Sequence, residues 1–176
     1  MTKHREIAAA VVVDSAGKFL LQQRDNIPGI LYPGKVGLFG GHREGSETFL
    51  ECVARELHEE LSYFIPQESF EPLLSYEGPD WDQSGGTLLA EFFVARDIQT
   101  ARVTVTEGTL LVVGANTNFD DFQDKLAPSA ARALKAYAER HATCYGGSAL
   151  PQRLTPENLP RDPARKAGKS QHTRKL

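Results

Sequence analysis

The chain has 176 residues, of which 40% are hydrophobic and 24% are charged, and its formal net charge is −3. This composition is typical of an ordinary globular domain, and no run approaches the roughly 18 apolar residues that a membrane-spanning helix requires. The two cysteines, Cys52 and Cys144, show no motif spacing, so we expect reduced thiols in a cytoplasmic protein.

Charge is distributed unevenly along the chain. Residues 1–145 carry 13 basic and 21 acidic side chains, whereas residues 146–176 carry seven basic and two acidic ones, with four of the ten prolines. We therefore predict a folded domain over 1–145 and a basic C-terminal tail over 146–176 that buries too little apolar surface to fold alone. The tail is interpreted either as a solvated segment or as an arm that binds nucleic acid or an acidic partner.

The first elements in chain order are predicted to be two strands. Residues 6–13 and 18–24 are apolar, β-prone runs separated by "DSAG", which favours a hairpin. The basic start of the chain and the apolar run that follows resemble a signal peptide, but the run is short and ends at Asp14, so we interpret it as a strand. A loop rich in Pro and Gly follows at residues 25–35.

A glycine turn and a helix come next. "VGLFGG" predicts a short strand that runs into a turn, and Thr48 with Glu51 matches a capping box, which predicts a helix beginning after Thr48. Apolar residues then recur with the spacing of one buried helix face: Leu50, Val53, Ala54, Leu57 and Leu61.

The remaining sequence predicts further strands and a closing helix. Residues 69–78, 86–98 and 102–113 are β-prone, and residues 129–140 have the pattern of an amphipathic helix. Because strands and helices do not alternate regularly, we expect an α/β fold with a mixed β-sheet between helices rather than a doubly wound parallel sheet.

The first predicted helix carries an unusual cluster of charge. Glu56 and Glu60 are i, i+4 neighbours, and Glu59 lies between them and Arg55, so all four share one flank. A divalent cation relieves the repulsion among three carboxylates, and oxygen ligands suit Mg²⁺ or Mn²⁺. The pattern therefore indicates either metal-assisted hydrolysis of a phosphate chain or a solvated, glutamate-rich helix face.

The spacing of these residues resembles a known family signature. Gly41, Glu47 and the run from Arg55 to Tyr63 match G-x5-E-x7-R-E-U-x-E-E-x-G-U, where U is bulky and apolar, at every charged position. This signature belongs to the Nudix hydrolases, and the resemblance extends over about residues 5–140. It implies a Nudix-like α/β/α sandwich that uses Mg²⁺ or Mn²⁺ to hydrolyse a nucleoside diphosphate linked to another group X.

The resemblance also implies roles for individual residues. Glu56 and Glu60 would be the main metal ligands, and Glu59 would be a further ligand or a base that orients water. A backbone carbonyl near Gly40 and Gly41 would complete the ligand set. Substrate hydrolysis would then release a nucleoside monophosphate and a phosphorylated X, or pyrophosphate from a triphosphate.

The same resemblance implies supporting roles for further residues and shows where this sequence departs from the signature. Arg55 and Glu47 would form an ion pair that holds the loop against the helix. Glu107 is placed where some members have an additional ligand or general base, or else it is a turn residue. Ser62 replaces the last glycine of the signature, and Tyr63 takes the final aliphatic position. If position 62 requires a positive φ, serine costs roughly 1 kcal/mol relative to glycine.

The sequence defines substrate-binding residues less well. Arg24 and Arg43 are each interpreted as a phosphate ligand or as a member of a surface ion pair. Trp81, the only tryptophan, either stacks on a base or packs at the rim of the core. Pro79 follows Tyr63 at a spacing that resembles ADP-ribose-hydrolysing members, but nucleoside triphosphates and nucleotide sugars remain equally open as substrates.

Two other function classes are open at this point. A Nudix-fold module that senses a nucleotide without cleaving it usually lacks signature carboxylates, whereas all of them are present here. A hydrolase that acts on RNA ends would use the basic tail, and its affinity for RNA would fall with salt. In every case we expect the chain to bind a nucleotide and no membrane. The sequence leaves open whether the chain forms a homodimer.

Overall fold

A mixed β-sheet between two helices organises residues 4–142, the part of the chain that the computed structural model describes. None of the helices in that part is long and apolar enough to cross a membrane. The helices are α1 (Phe49–Leu61) and α2 (Pro128–Ala142). The strands are β1 (His4–Asp14), β2 (Phe19–Gln23), β3 (Val36–Gly37), β4 (Phe39–His42), β5 (Phe70–Pro79), β6 (Thr87–Ile98) and β7 (Thr109–Val113).

Strand β1 lies at the centre of the sheet. It runs parallel to β6 and antiparallel to β2 and β4, and the strand order is β3-β2-β1-β6-β5, with β4 beside β1 and β7 beside β2. Because side chains alternate across a strand, Val11 and Val13 pack in the core beneath α2, whereas Ala10 and Val12 pack beneath α1. The predicted α/β/α sandwich with a mixed sheet is therefore confirmed.

Helix α1 begins as its sequence predicts. The Thr48 hydroxyl accepts a hydrogen bond from the Glu51 N–H, and the Glu51 carboxylate accepts one from the Thr48 N–H, which completes the capping box. At the other end, Ser62 has φ +48° and ψ +35°, so this position is left-handed. Cys52 is buried on the inner face, and burial raises the pKa of its thiol to about 12, as expected for an inert reduced cysteine.

The sequence predicts one or two strands within residues 102–113, and the structure has one, which occupies only the last part of that range. Strand β7 starts at Thr109, and the chain before it forms a 3₁₀-helix at Thr100–Arg102 and then a loop. The N–H groups of Thr104 and Thr106 donate to carbonyls at the C-terminal end of α1, and each donor–acceptor distance is 2.9 Å. This loop, residues 103–108, therefore satisfies the free carbonyls of the helix instead of pairing in the sheet.

The predicted turn at Gly40 and Gly41 is wrong, because both glycines lie in β4 and pair with β1. The other predicted elements agree with the structure. The hairpin at residues 6–13 and 18–24 is β1 and β2, the two following long strands are β5 and β6, and the closing helix is α2. The apolar periodicity did not reveal the 3₁₀-helix at Phe119–Lys125. Cys144 and the basic tail at 146–176 lie outside the described residues, so the tail stays a prediction.

Candidate active site

A cavity of about 360 Å³ opens between α1, the central strands and the N-terminal end of α2. Glu56 and Glu60 of α1 line it, together with Glu107 from the loop before β7. Arg24, just after β2, and Arg5 of β1 contribute the positive charges of the lining. The volume is within the range of sites that bind small molecules and cofactors.

Glu60 is a buried carboxylate, with only 8% of its surface exposed. One oxygen accepts a hydrogen bond from the Gly40 N–H at 2.7 Å, and the other accepts one from the Gln22 side-chain amide at 3.0 Å. Burial raises the pKa of Glu60 to about 7, and the negative charges of Glu56 and Glu107 act in the same direction. Among residues 4–142, no cationic side chain forms an ion pair with this carboxylate.

Glu56 lies against the two glycines of β4. Its carboxylate occupies the space that a Cβ at Gly41 would need, and a Cβ at Gly40, where φ is +139°, would collide with the backbone of β1. Burial raises the pKa of Glu56, and neighbouring glutamates add to the effect, although Arg55 opposes it. The two glycines therefore let the backbone come directly beside a carboxylate of α1.

Arg55 organises the other side of the glutamate cluster. Its Nε and Nη2 donate to the two carboxylate oxygens of Glu47 at 3.1 and 2.7 Å, a bidentate pair. Nη2 also donates to the His42 carbonyl at 3.1 Å, and Nη1 donates to Glu56 at 3.0 Å. The hydrogen bonds from Arg55 lower the pKa of Glu47 to about 2, against the opposing effect of burial. The ion pair that the resemblance implied thus joins the loop before α1 to the helix.

Glu59 and Glu107 lie differently with respect to the cavity. Glu59 has 58% of its side chain exposed, lies 3.4 Å from Arg55 Nη1, and is not among the lining residues. Glu107 lines the cavity, and its backbone carbonyl accepts a hydrogen bond from Gln22 at 3.2 Å. The same Gln22 amide donates to Glu60, so one side chain places the loop glutamate beside the helix glutamate.

The two arginines predicted to contact phosphate have different surroundings. Arg24 lines the cavity, and its guanidinium donates to the Leu31 carbonyl at 2.8 Å and to the Gln22 side-chain oxygen at 3.3 Å. Arg43 forms an ion pair with Glu6 and is not among the lining residues. The structure therefore brings Arg24, and not Arg43, to the cavity that Glu56, Glu60 and Glu107 line.

Trp81 packs against the core instead of lining the cavity. Its ring centroid lies 3.8 Å from that of Tyr76 and 6.3 Å from that of Phe92. The guanidinium of Arg132 covers the indole at 4.4 Å. These contacts favour the packing interpretation of Trp81 over base stacking.

Gln22 is a site residue that the sequence interpretation missed, although a signal was present. It lies on the same face of β2 as the buried Leu20, so alternation alone predicts a buried amide that needs partners. Arg5 and Asp80 were missed as well. They pair across 75 positions of sequence, and no local pattern could reveal that contact.

The carboxylates are compatible with a hard divalent cation, but they do not form a complete cage. Within residues 4–142, no three Asp, Glu, His or Cys side chains are grouped closely enough to hold an ion by themselves. Mg²⁺ commonly binds through one or two carboxylates and keeps several waters, so a complete cage is not required. Glu60, which is buried, and Glu56, which is half-buried, have raised pKa values and fit that role.

Comparison with known proteins agrees with this geometry. The family model of the NUDIX domain matches residues 3–137. The solution structure of the E. coli ORF135 protein is 23% identical with a TM-score of 0.60, and the match covers 83% of this chain and 96% of that one. The NUDIX domain of Shewanella oneidensis NrtR, solved with ADP ribose, is 20% identical with a TM-score of 0.61, covering 80% and 90%.

A third structural match is a larger protein. The bifunctional NMN adenylyltransferase/ADP ribose pyrophosphatase from Francisella tularensis, solved with AMP and a Mn ion, is 18% identical with a TM-score of 0.61. The match covers 80% of this chain and 42% of that protein. At such identities the solved structures show a shared fold, while the family match spans most of the chain and includes the signature. The chain belongs to the NUDIX family.

Proposed function

We propose that the chain is a metal-dependent hydrolase that cleaves a diphosphate linkage in a nucleoside diphosphate linked to X. One observation carries the proposal: Glu56, Glu60 and Glu107 meet at one cavity, where burial raises the pKa of the first two. Burial makes these carboxylates costly to ionise. A bound cation lowers that cost because it supplies a neighbouring positive charge.

In this proposal Glu56 and Glu60 hold Mg²⁺ or Mn²⁺, with the Gly41 carbonyl as a further ligand. Such a cation, when bound, supplies neutralisation of the diphosphate charge and makes a water molecule more acidic. Glu59 and Glu107 are the candidates for accepting the proton of the attacking water, and Glu107 is the one that lines the cavity. A base in that position must come within hydrogen-bond reach of the water, directly or through a second one.

Arg24 is the proposed contact to the phosphate chain. Hydrogen bonds to Leu31 and Gln22 orient its guanidinium, and Gln22 also donates to Glu60. An oriented guanidinium loses less freedom when it binds an oxyanion, so the arginine is suited to recognise phosphate beside the carboxylates. Arg55 and Glu47 support the site from behind, because they fix the loop between β4 and α1.

The substrate class is a nucleoside diphosphate derivative, such as a nucleoside triphosphate, a nucleotide sugar or ADP-ribose. The two comparison proteins solved with ADP ribose or with AMP and Mn support this class, because part or all of each chain shares the fold of this one. The volume of about 360 Å³ suits a nucleotide whose X group extends toward solvent. The choice among the members of the class is proposed to depend on residues outside the signature.

A substrate panel tests the proposal. Nucleoside triphosphates, oxidised nucleotides, nucleotide sugars, ADP-ribose and dinucleoside polyphosphates are assayed with Mg²⁺ and with Mn²⁺, and the products are identified. We expect at least one member to be cleaved at a diphosphate linkage, with loss of turnover in Glu60→Gln and retention in Glu51→Gln, since glutamine preserves the capping box. Nucleotide binding without any cleavage would contradict the hydrolase and favour a sensor.

A further inference from the structure

Arg5 is a buried cation of β1 in the wall of the cavity that the glutamates also line. It lines the cavity although only 6% of its surface is exposed. Its Nη1 donates to both carboxylate oxygens of Asp80 at 3.0 and 2.9 Å, and its Nε donates to the ring of His42 at 3.1 Å. Asp82 lies 3.6 Å from the same Nη1. Three partners therefore fix the plane of the guanidinium.

One nitrogen of this guanidinium is left for a ligand. Within residues 4–142, Nη2 of Arg5 makes no hydrogen bond, whereas Nε and Nη1 do. The only fully buried side-chain nitrogen or oxygen without a partner in that part of the chain is Oδ1 of Asp82. Nη2 consequently retains accessible surface, and the cavity is the space that Arg5 borders. Its two N–H groups are donors available to a bound molecule.

The local charge argues against a phosphate at this position. The side chain of Asp80 is fully buried, and burial raises its pKa, but hydrogen bonds from the Asp82 N–H and from Arg5 outweigh that effect and lower it. An ionised Asp80 cancels the charge of Arg5, and Asp82 adds a second acidic group within ion-pair distance. A guanidinium neutralised in this way acts as a directional donor to a neutral acceptor rather than as an anion site.

The surroundings of Arg5 suit a flat, partly apolar group. Tyr32 and Phe92 line the same cavity, and the Tyr32 hydroxyl donates to the Asp82 carbonyl at 3.1 Å, which fixes its ring. Ala8, three residues along β1 from Arg5, pairs with Gly41 of β4. At about 3.3 Å per residue, the Cα atoms of Arg5 and Ala8 are about 10 Å apart along β1, a distance that a nucleotide can span.

We propose that Arg5 determines nucleobase specificity by donating a hydrogen bond from Nη2 to a carbonyl oxygen or ring nitrogen of the base. This inference rests on the proposed function for the direction of the substrate, with the diphosphate at Glu56 and Glu60. Asp80 is a positioning residue, because it orients the guanidinium and cancels its charge. The remaining part of the substrate, the group X, then leaves the cavity on the glutamate side.

Binding of uncleavable ligands tests the inference without requiring turnover. Nucleoside α,β-methylene diphosphates and base-free methylenediphosphonate are titrated calorimetrically into the full chain with Mg²⁺. Arg5→Lys, which keeps the charge next to Asp80, is expected to weaken nucleotide binding at least tenfold and to leave methylenediphosphonate unchanged. Equal losses for both ligands, or no loss for either, would overturn the proposal.

A second measurement uses the unmodified protein, in case the substitution prevents folding. A ribosyl methylene diphosphate that carries a phenyl ring in place of the base keeps the flat shape and removes the acceptors. We expect it to bind at least tenfold more weakly than the matching nucleotide, and equal affinity would overturn the inference. If no substrate is cleaved but both base-dependent losses are found, the proposed function fails and the role of Arg5 stands.

Discussion

The glutamates at α1 form two groups in opposite electrostatic states: a structural flank, made by Glu47 of the preceding loop with Arg55, and a ligand flank, made by Glu56 and Glu60. On one flank, Glu47 lies in a bidentate pair with Arg55, and its pKa falls to about 2. On the other flank, Glu60 is buried without an ion pair to any residue of 4–142, and its pKa rises to about 7. The comparison separates glutamates that hold the structure together from glutamates whose charge is left for a ligand.

The largest expected effect comes from removing a carboxylate on the ligand flank. Glu60→Gln and Glu56→Gln keep the side-chain shape but remove the charge, so each should lower kcat/KM by more than the roughly 10–100-fold typical of supporting residues. Glu59→Gln tests the exposed glutamate as a ligand or base, and a loss of roughly 10²–10⁴-fold is expected if it takes the proton. Circular dichroism and steady-state kinetics check each variant.

Wild-type rates in both the Glu56→Gln and the Glu60→Gln variants would remove the distinction between the flanks. Glu51→Gln is the matched control on the same helix. Its carboxylate accepts only the capping hydrogen bond from Thr48, and glutamine can accept it too.

Breaking the structural flank should have an intermediate effect. Arg55→Ala leaves Glu47 and Glu56 without their partner, so we expect a loss of about 1–2 kcal/mol in the free energy of unfolding, since the pair is partly solvated. Activity should fall roughly 10–100-fold because the loop between β4 and α1 is no longer held. Urea unfolding and kinetics measure the two effects. A full loss of activity with unchanged stability would instead give Arg55 a direct part in the chemistry.

The pH dependence of stability should differ in sign between the flanks. The folded pKa of Glu47 is about 2, below the ordinary 4.5, so its stabilisation is present above pH 4.5 and is lost toward pH 2. The folded pKa of Glu60 is about 7, above 4.5, so the cation-free protein should lose stability as the pH rises from 4.5 to 7. Urea unfolding in EDTA across both windows measures these slopes.

Each slope has its own control variant. Glu47→Gln should flatten only the acidic window, and Glu60→Gln only the window up to pH 7. If Glu60→Gln leaves the pH dependence of stability between pH 4.5 and 7 unchanged, the ionisation of Glu60 is not what destabilises the cation-free protein in that range.

The smallest expected effect is a gain. Ser62 ends α1 with φ +48°, a conformation that glycine adopts at lower cost. Ser62→Gly should therefore raise the free energy of unfolding by roughly 0.5–1 kcal/mol and Tm by about 1–4 °C. Activity should stay the same, because the serine lies beyond the glutamates. Thermal unfolding checks this, and Ser62→Ala, which keeps the strain, should give no such gain.

The sequence predicted the features that depend on local residue spacing or on the family signature. The capping box of Thr48 and Glu51 and the buried stripe of α1 follow from spacing alone, and both are present. The pairing of Arg55 with Glu47 came from the signature. The signature has glycine at position 62, which raised the question of a positive φ there, and Ser62 does have a positive φ.

What the sequence could not predict depends on contacts between distant segments. β-Prone residues 102–108 lie outside the sheet because the end of α1 offers them carbonyls, a competition invisible in a local pattern. Arg43 lies away from the cavity because Glu6 of β1 binds it. The buried pair of Arg5 with Asp80 joins the first strand to the loop after β5, and only the folded sheet brings them together.

The central claim is that Glu56 and Glu60 hold a divalent cation, and the most direct test is Mn²⁺ binding measured by the electron paramagnetic resonance signal of the free ion. We predict a saturable site in the wild-type chain, at least tenfold weaker binding in Glu56→Gln and Glu60→Gln, and unchanged binding in Glu51→Gln. Equal Mn²⁺ affinity in all four proteins would contradict the claim.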